Sequence, residues 1–285
     1  MRTPFFSKTY RSPVNIILSV ALVLLCISCK TDETQTVTNF TNLTFEDNFD
    51  TDGPVDAASW NYDLGNGCGV QQGCGWGNNE LAYFTDRPEN IKVEGGMLHI
   101  TALQESFQGA AYTSARINTK DKVEQQYGRF EARIQLPWGQ GIWPAFWLLG
   151  SNYEEVDWPQ CGEIDIMEYR GQDPSTLVGT IHGPGYSGGL PETSKEYVLP
   201  SDRFDKGFHI FGIEWGPDYI NFYVDDVLYN QITPEDVEGE WVFDQPFYII
   251  LNLAVGGNFV GPVGANTVFP QTMLVDYVRV YSRSN

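Results

Sequence analysis

The chain has 285 residues, with 29 Gly, 16 Pro and 14% aromatic side chains, which suits one large domain of short strands and frequent turns, or two small ones. A formal net charge of −20 argues against nucleic acid, which needs basic patches, and fits a neutral or poorly charged ligand; solubility accounts for most of that charge. The three His are not clustered as metal ligands, which disfavours zinc hydrolysis, and no Gly-rich phosphate loop or Gly-x-Ser-x-Gly elbow occurs.

At the N-terminus, Arg2, Lys8 and Arg11 precede an apolar run, residues 14–27, that is too short for a comfortable membrane span. Residues 1–28 are therefore expected to be an export signal. Ser28-Cys29 resembles a bacterial lipoprotein box, in which Cys29 is lipidated and becomes the mature N-terminus. Cys26, at the third position before cleavage, departs from the usual Leu, Val or Ile, so plain secretory cleavage stays open. Lys30-Thr31-Asp32-Glu33 resembles the acidic tether of lipoproteins sent to the outer face of the cell. The expected location is the outer membrane and cell surface of a bacterium, or the medium. Residues 29–42 read as a polar linker.

From Leu43 no shift in composition marks a second domain, so residues 43–283 are expected to form one. Strand-like runs recur at residues 90–103, 112–118, 128–135, 143–149, 163–169, 178–182, 209–214, 219–224, 247–255 and 273–281. Turn signals such as Glu94-Gly95-Gly96 and Gly216-Pro217-Asp218 separate them. No window of helical length shows a 3.6 period. The expected class is all-β, a sandwich of two antiparallel sheets, one of them concave enough for a polymer to lie across it.

Cys68 and Cys74 sit six apart in a Gly-rich loop of an exported chain, and a disulfide between them is expected. The next segment, Gly75-Trp76-Gly77-Asn78-Asn79-Glu80-Leu81, reads equally as a cleft wall or as a solvated turn held by that bridge. Arg116 alternates with apolar neighbours, as a surface charge or as a buried donor to a carboxylate. In Gly141-Ile142-Trp143-Pro144-Ala145-Phe146-Trp147-Leu148-Leu149-Gly150, Trp143, Ala145 and Trp147 share one face and Phe146 and Leu148 the other. Two indoles on one face suit sugar stacking, although a core would use them too and Pro144 weakens a central strand.

The most informative segment is Gly162-Glu163-Ile164-Asp165-Ile166-Met167-Glu168-Tyr169. Strict alternation would send Glu168 to the opposite face from Glu163 and Asp165, into an apolar core where an unpaired Glu is costly. A β-bulge near Ile166 and Met167 would return it to their face. Three acids so close repel, so at least one keeps its proton near neutral pH. A paired acid and carboxylate is what glycoside hydrolysis needs. Cys161 reads as a small buried residue. His182, on the strand that follows, is placed for hydrogen bonding near a cleaved sugar.

Together these residues resemble glycoside hydrolase family 16, in its laminarinase-like branch, over about residues 43–281. The acidic segment matches the family's Glu-x-Asp-x-x-Glu form. Cys74-Gly-Trp-Gly-Asn-Asn-Glu80, Tyr127-Gly-Arg-Phe-Glu131, Trp143-Pro-Ala-Phe-Trp147, Asn252-Leu-Ala-Val-Gly-Gly257 and Val275-Asp-Tyr-Val-Arg-Val-Tyr281 look like further family signatures. The resemblance implies a β-jelly roll with an open cleft and a retaining endo-β-1,3-glucanase acting on laminarin-like glucan. Mixed-linkage β-glucan or a marine galactan are rival substrates for the same chemistry; a non-catalytic glucan-binding surface protein is the rival of another class. Glu163 would be the nucleophile, Asp165 its assistant and Glu168 the acid/base, with the two glutamate carboxyls about 5–5.5 Å apart. Trp143, Trp147, Asn79, Arg116 and His182 would bind sugar, joined by Trp76 and by Phe259, where relatives usually carry Trp. No catalytic cofactor is implied. A structural calcium is, at Asp276 with backbone oxygens near Asn48 and Gly96. The implied protein is a monomer that meets a membrane only through an N-terminal lipid.

Overall fold

The structure, a computed structural model, describes residues 40–71, 73–190 and 193–284. The expected signal at residues 1–28, the lipidation site Cys29 and the linker up to residue 39 lie outside the described residues.

The first strands are β1 (Phe40–Asp47), β2 (Asn61–Tyr62), β3 (Ala82–Phe84), β4 (Ile91–Val93), β5 (Leu98–Phe107) and β6 (Ala110–Ser114). Next come β7 (Arg116–Asn118), β8 (Glu124–Gln125), β9 (Gly128–Gln135), β10 (Ile142–Gly150), β11 (Glu163–Tyr169) and β12 (Thr176–His182). The last are β13 (Ser194–Val198), β14 (His209–Gly216), β15 (Tyr219–Val224), β16 (Val227–Ile232), β17 (Phe247–Val255) and β18 (Gln271–Arg283). They build two sheets. The ten-stranded one runs β16-β15-β14-β9-β18-β5-β6-β3, with β1 on β18 and β4 on β5. The eight-stranded one runs β13-β12-β11-β10-β17-β7-β2, with β8 on β17. Among these ladders only β3 with β6 is parallel. This is the two-sheet sandwich that the alternating runs imply and the jelly roll that the resemblance implies.

Alternation explains the layers. Phe130, Ala132 and Ile134 of β9 and Phe211, Ile213 and Trp215 of β14 meet Phe146, Leu148, Ile164 and Leu251 of the other sheet in one buried cluster. Burying one such side chain stabilises by about 1.5–3 kcal/mol, so the core fixes which face of each strand looks outward. A smaller cluster of Leu149, Cys161, Tyr248 and Ile250 supports Trp147 and Tyr153. Cys161 is free and buried, and Cys68 and Cys74 are bridged.

Several features differ from the sequence expectation, among them the run at 112–118, which splits into β6 and β7 of different sheets, and the short strands β2, β3 and β8. Strand β1 begins inside the expected linker: Phe40 is buried, and Asn42 Nδ2 donates to Ser282 Oγ at 2.8 Å across to β18. The run at 90–103 is two strands, because Gly95 and Gly96 turn the chain with φ of 62° and 76°. Strands β13 and β16 were not expected, because each is an edge strand with one partner and a largely polar or half-exposed sequence.

Candidate active site

Strand β11 lies between β10 and β12. Against β10, Glu163 stands opposite Leu149, Asp165 opposite Trp147, and Glu168 opposite Ala145. All three acids therefore share the face of Trp147. The register steps from Asp165–Trp147 to Met167–Phe146, which leaves Ile166 as the extra residue of a bulge. The same slip appears against β12, between Asp165–Thr180 and Glu168–Val178. Ile166 and Met167 are both buried, so the bulge turns two consecutive apolar side chains into the core and keeps Glu168 out of it.

Each acid has its own partner. Trp143 Nε1 donates to Glu168 Oε1 at 3.1 Å, and Trp158 Nε1 donates to Glu163 Oε2 at 2.9 Å. His182 Nε2 lies 2.9 Å from Asp165 Oδ2 and 3.8 Å from Glu163 Oε1. The Gly188 amide donates to His182 Nδ1 at 3.1 Å, which leaves Nε2 as the ring nitrogen beside the acids. Glu163 and Asp165 are also hydrogen-bonded to each other.

Burial raises all three carboxyls. Glu163 is pushed up to about 8 by desolvation and then by the charge of Asp165, with His182 opposing. Asp165 is raised by desolvation and by Glu168. Glu168 is pushed up to about 7 by desolvation, against the pull of His182. The trio titrates as a unit and holds protons at neutral pH.

Beside the acids, Trp147 Nε1 donates to Asn252 Oδ1 of β17 at 2.7 Å. Arg116, at the start of β7, is buried, pairs with Asp63 at 2.9 Å, and stacks against both Trp76 and Trp147 at 4.8 Å. The alternative left by its sequence is thus decided: Arg116 is a buried partner to a carboxylate. Asn79 is exposed and donates to Asn258 Oδ1 at 2.9 Å, which sets the loop wall beside the end of β17.

Three expected sugar contacts sit differently from the expectation: Trp143 is buried in the core and gives its indole N–H to Glu168. Trp76 is buried between Arg116 and Phe84, so it backs the wall instead of offering a free face. Phe259 leans on Trp143 at 5.2 Å and carries the Arg170 guanidinium 4.0 Å over its ring, so it braces Trp143 more than it presents an open platform.

Of the expected calcium set, the one carboxylate is shared with a guanidinium. The Asp276 carboxylate pairs with Arg133 at 2.7 Å, and the side-chain Oδ1 of Asn48 accepts from Arg279 at 3.0 Å, whereas the expected set draws on backbone oxygens near Asn48 and Gly96. A guanidinium already neutralises the one carboxylate the cation would rely on, and Gly96 adds no charge. Glu163, Asp165 and His182 bring possible ligand atoms within 4.8 Å of one another, but those atoms are the ones used in the contacts above.

Comparison with known proteins agrees with this geometry. The model for glycosyl hydrolases family 16 matches residues 74–278. The chain belongs to glycoside hydrolase family 16. It is 44% identical to a β-glucanase of Rhodothermus marinus over 84% of each chain. Among solved structures it resembles the laminarinase catalytic domain of Thermotoga maritima MSB8, with a TM-score of 0.81 and 47% identity over 87% of this chain and 100% of that one. It equally resembles the endo-β-1,3-glucanase of Pyrococcus furiosus, with a TM-score of 0.81 and 46% identity over 87% and 100%.

The sequence reading of this family-16 site missed three participants. Trp158 is an exposed loop indole that binds Glu163 and packs against His182 at 5.8 Å between ring centres. The Gly188 amide holds His182 Nδ1. Glu80 is a fourth acid whose charge is felt beside Glu168. Loops carry no period, so only the closeness of Trp158 to the acidic strand was available as a signal.

Proposed function

We propose that this family-16 enzyme is a retaining endo-β-1,3-glucanase that cuts internal bonds of laminarin-like glucan. The bulged acidic strand carries the reading: three protonatable carboxyls lie on one outward face, the first and last each held by an indole N–H. In the productive form one proton sits on Glu168 and another on Asp165, hydrogen-bonded to an ionised Glu163. Glu163 attacks the anomeric carbon while Glu168 protonates the departing glycosidic oxygen. In the second step Glu168, now ionised, takes a proton from water. That water attacks the same carbon and releases Glu163. Asp165 holds the charge of Glu163 in check between the two steps, and His182 orients Asp165. Sugar rings would lie on Trp147 and reach Asn79, Arg116 and Asn252.

Reducing ends released from laminarin, mixed-linkage glucan and agarose test the reading. Laminarin should be cut fastest, into a ladder of oligosaccharides, and Glu163→Ala or Glu168→Ala should lower the rate at least ~10³-fold while glucan still binds. Near-normal turnover by either variant would sink the assignment.

We also propose that residues 1–28 direct export and that Cys29 receives the lipid, which leaves a cell-surface monomer. The basic start, the apolar run and Ser28-Cys29 support this. Mass analysis of the native N-terminus should find an acylated Cys29. A mature chain starting elsewhere without lipid, or an oligomer by light scattering, would overturn the corresponding part.

A further inference from the structure

The loop between β9 and β10 carries an indole that the cleft does not use. Trp138 is 51% exposed. Its backbone amide donates to Gln271 Oε1, at the start of β18, at 3.1 Å. The Arg203 guanidinium, from the β13–β14 connection, stands 5.3 Å over its ring. Neither partner belongs to the acidic strand or to the wall around Arg116.

This indole is fixed before any ligand arrives. Arg203 is forked onto Asp205, Nε to Oδ1 at 2.6 Å and Nη2 to Oδ2 at 3.1 Å, and the Asp205 side chain is buried. The residues that follow Trp138 are clamped as well. Gly139 N donates to Gly171 O at 2.8 Å, and Gly264 N and Thr267 Oγ1 donate to Gln140 O at 3.1 and 2.8 Å. A Cβ on Gly139 would stand 2.8 Å from Thr267 Cγ2, so the loop is pressed against the segment that leads into β18. A side chain ordered in advance loses little freedom on binding.

Arg203 backs one face of the ring, and the exposed half is the other. Beside it Val268 is 69% exposed and tied in by Gln271 Nε2, which donates to Val268 O at 2.6 Å. Phe269 follows, packed on Tyr112 at 5.2 Å. Arg203 and Lys206 are both turned onto Asp205, at 2.6 and 3.4 Å, so neither is free to fork an anion. A cation finds Arg203 already in the place it would take on the indole. The ligand that suits such a surface is uncharged, flat and apolar on its faces, which describes a pyranose ring. A β-glucan supplies many of them on one chain.

Resting on the glucanase reading, we propose that Trp138 is a second glucan-binding platform outside the cleft, on which a glucosyl unit of the same polymer stacks while Arg203 holds the ring from behind. The contact is small and adds affinity chiefly for a chain long enough to reach both places, since the second contact is then intramolecular. A short oligosaccharide held in the cleft gains nothing from it.

Affinity electrophoresis in gels containing laminarin tests this, with Glu163→Ala protein so that the polymer persists. In that background Trp138→Ala should weaken retention about three- to tenfold, and Trp138→Tyr, which keeps a ring, should stay within about twofold. With Glu163 restored, Trp138→Ala should leave kcat and KM on laminaripentaose within about twofold of the parent. Unchanged retention of Trp138→Ala by laminarin would overturn the proposal, whatever else binds this face. So would an equal loss on laminaripentaose, which would place Trp138 in the cleft. Should Trp138→Ala not fold, Trp138→Leu is judged by the same limits. If the parent cuts neither laminarin nor the pentaose, the glucanase reading fails, and the retention comparison still decides on the platform.

Discussion

Two indole N–H groups govern the acids from opposite ends of one strand. Trp143 stabilises ionised Glu168, and Trp158 stabilises ionised Glu163, so each holds its carboxyl below where burial alone would put it. The proposed roles need Glu168 protonated and Glu163 ionised. On the proposed roles the values of about 8 for Glu163 and about 7 for Glu168 run opposite to the productive arrangement, so the limbs belong to the trio as a unit: activity falls as pH rises and Glu168 loses its proton, and as pH drops and Glu163 gains one. Trp143→Phe should move the alkaline limb of kcat/KM upward by roughly half a unit or more, and Trp158→Phe should move the acid limb upward and narrow the bell. If neither limb moves, these contacts do not set the titrations. The shared face of the trio and Trp143 was legible in sequence because alternation along a strand assigns faces without knowledge of the fold, but the burial of Trp143 and its bond to Glu168 were not. Trp158 and Glu80 were not, because a loop side chain reaches the site only through tertiary placement.

At the level of the strand, the bulge follows from one conflict: Ile166 and Met167 both belong in the core, while Asp165 and Glu168 both belong outside it. Two deletions of the same residue type separate parity from burial. Removing Ile166 takes out the extra residue and keeps Glu163, Asp165 and Glu168 on one face. Removing Ile164 turns Glu163 inward, where an unpaired acid costs several kcal/mol, on the order of 3 or more. Both variants lose one buried Ile. The first should fold, with a lowered melting temperature and measurable glucanase activity; the second should be inactive and poorly soluble. Equal behaviour would mean that the bulge does not set the faces. The bulge was readable because its residues contradict plain alternation. The edge strands β13 and β16 were not, since a strand exposed on one side and polar in sequence carries little periodic signal.

For the whole molecule, the buried acids trade stability for reactivity. Their folded values, about 7 for Glu80 and Glu168 and about 8 for Glu163, lie above the ordinary 4.5. The folded state thus binds more protons than the unfolded one. The stability they contribute is full below about 4.5 and is lost as pH rises through 7 to 8. One isolated rise from 4.5 to about 7 is worth on the order of 3 kcal/mol. The net charge of −20 acts in the same direction, since it grows as pH rises. The melting temperature should be at least ~5 °C higher at pH 5.5 than at pH 8.5, and Glu168→Gln should shrink the gap. A higher melting temperature at pH 8.5 would contradict the burial argument. The most direct test of the whole account is proton NMR of the first reducing ends released from laminarin by the purified protein. A double displacement at Glu163 and Glu168 predicts that the β-anomer appears first and then mutarotates. The α-anomer appearing first would show a single inverting displacement and contradict the roles given to both acids.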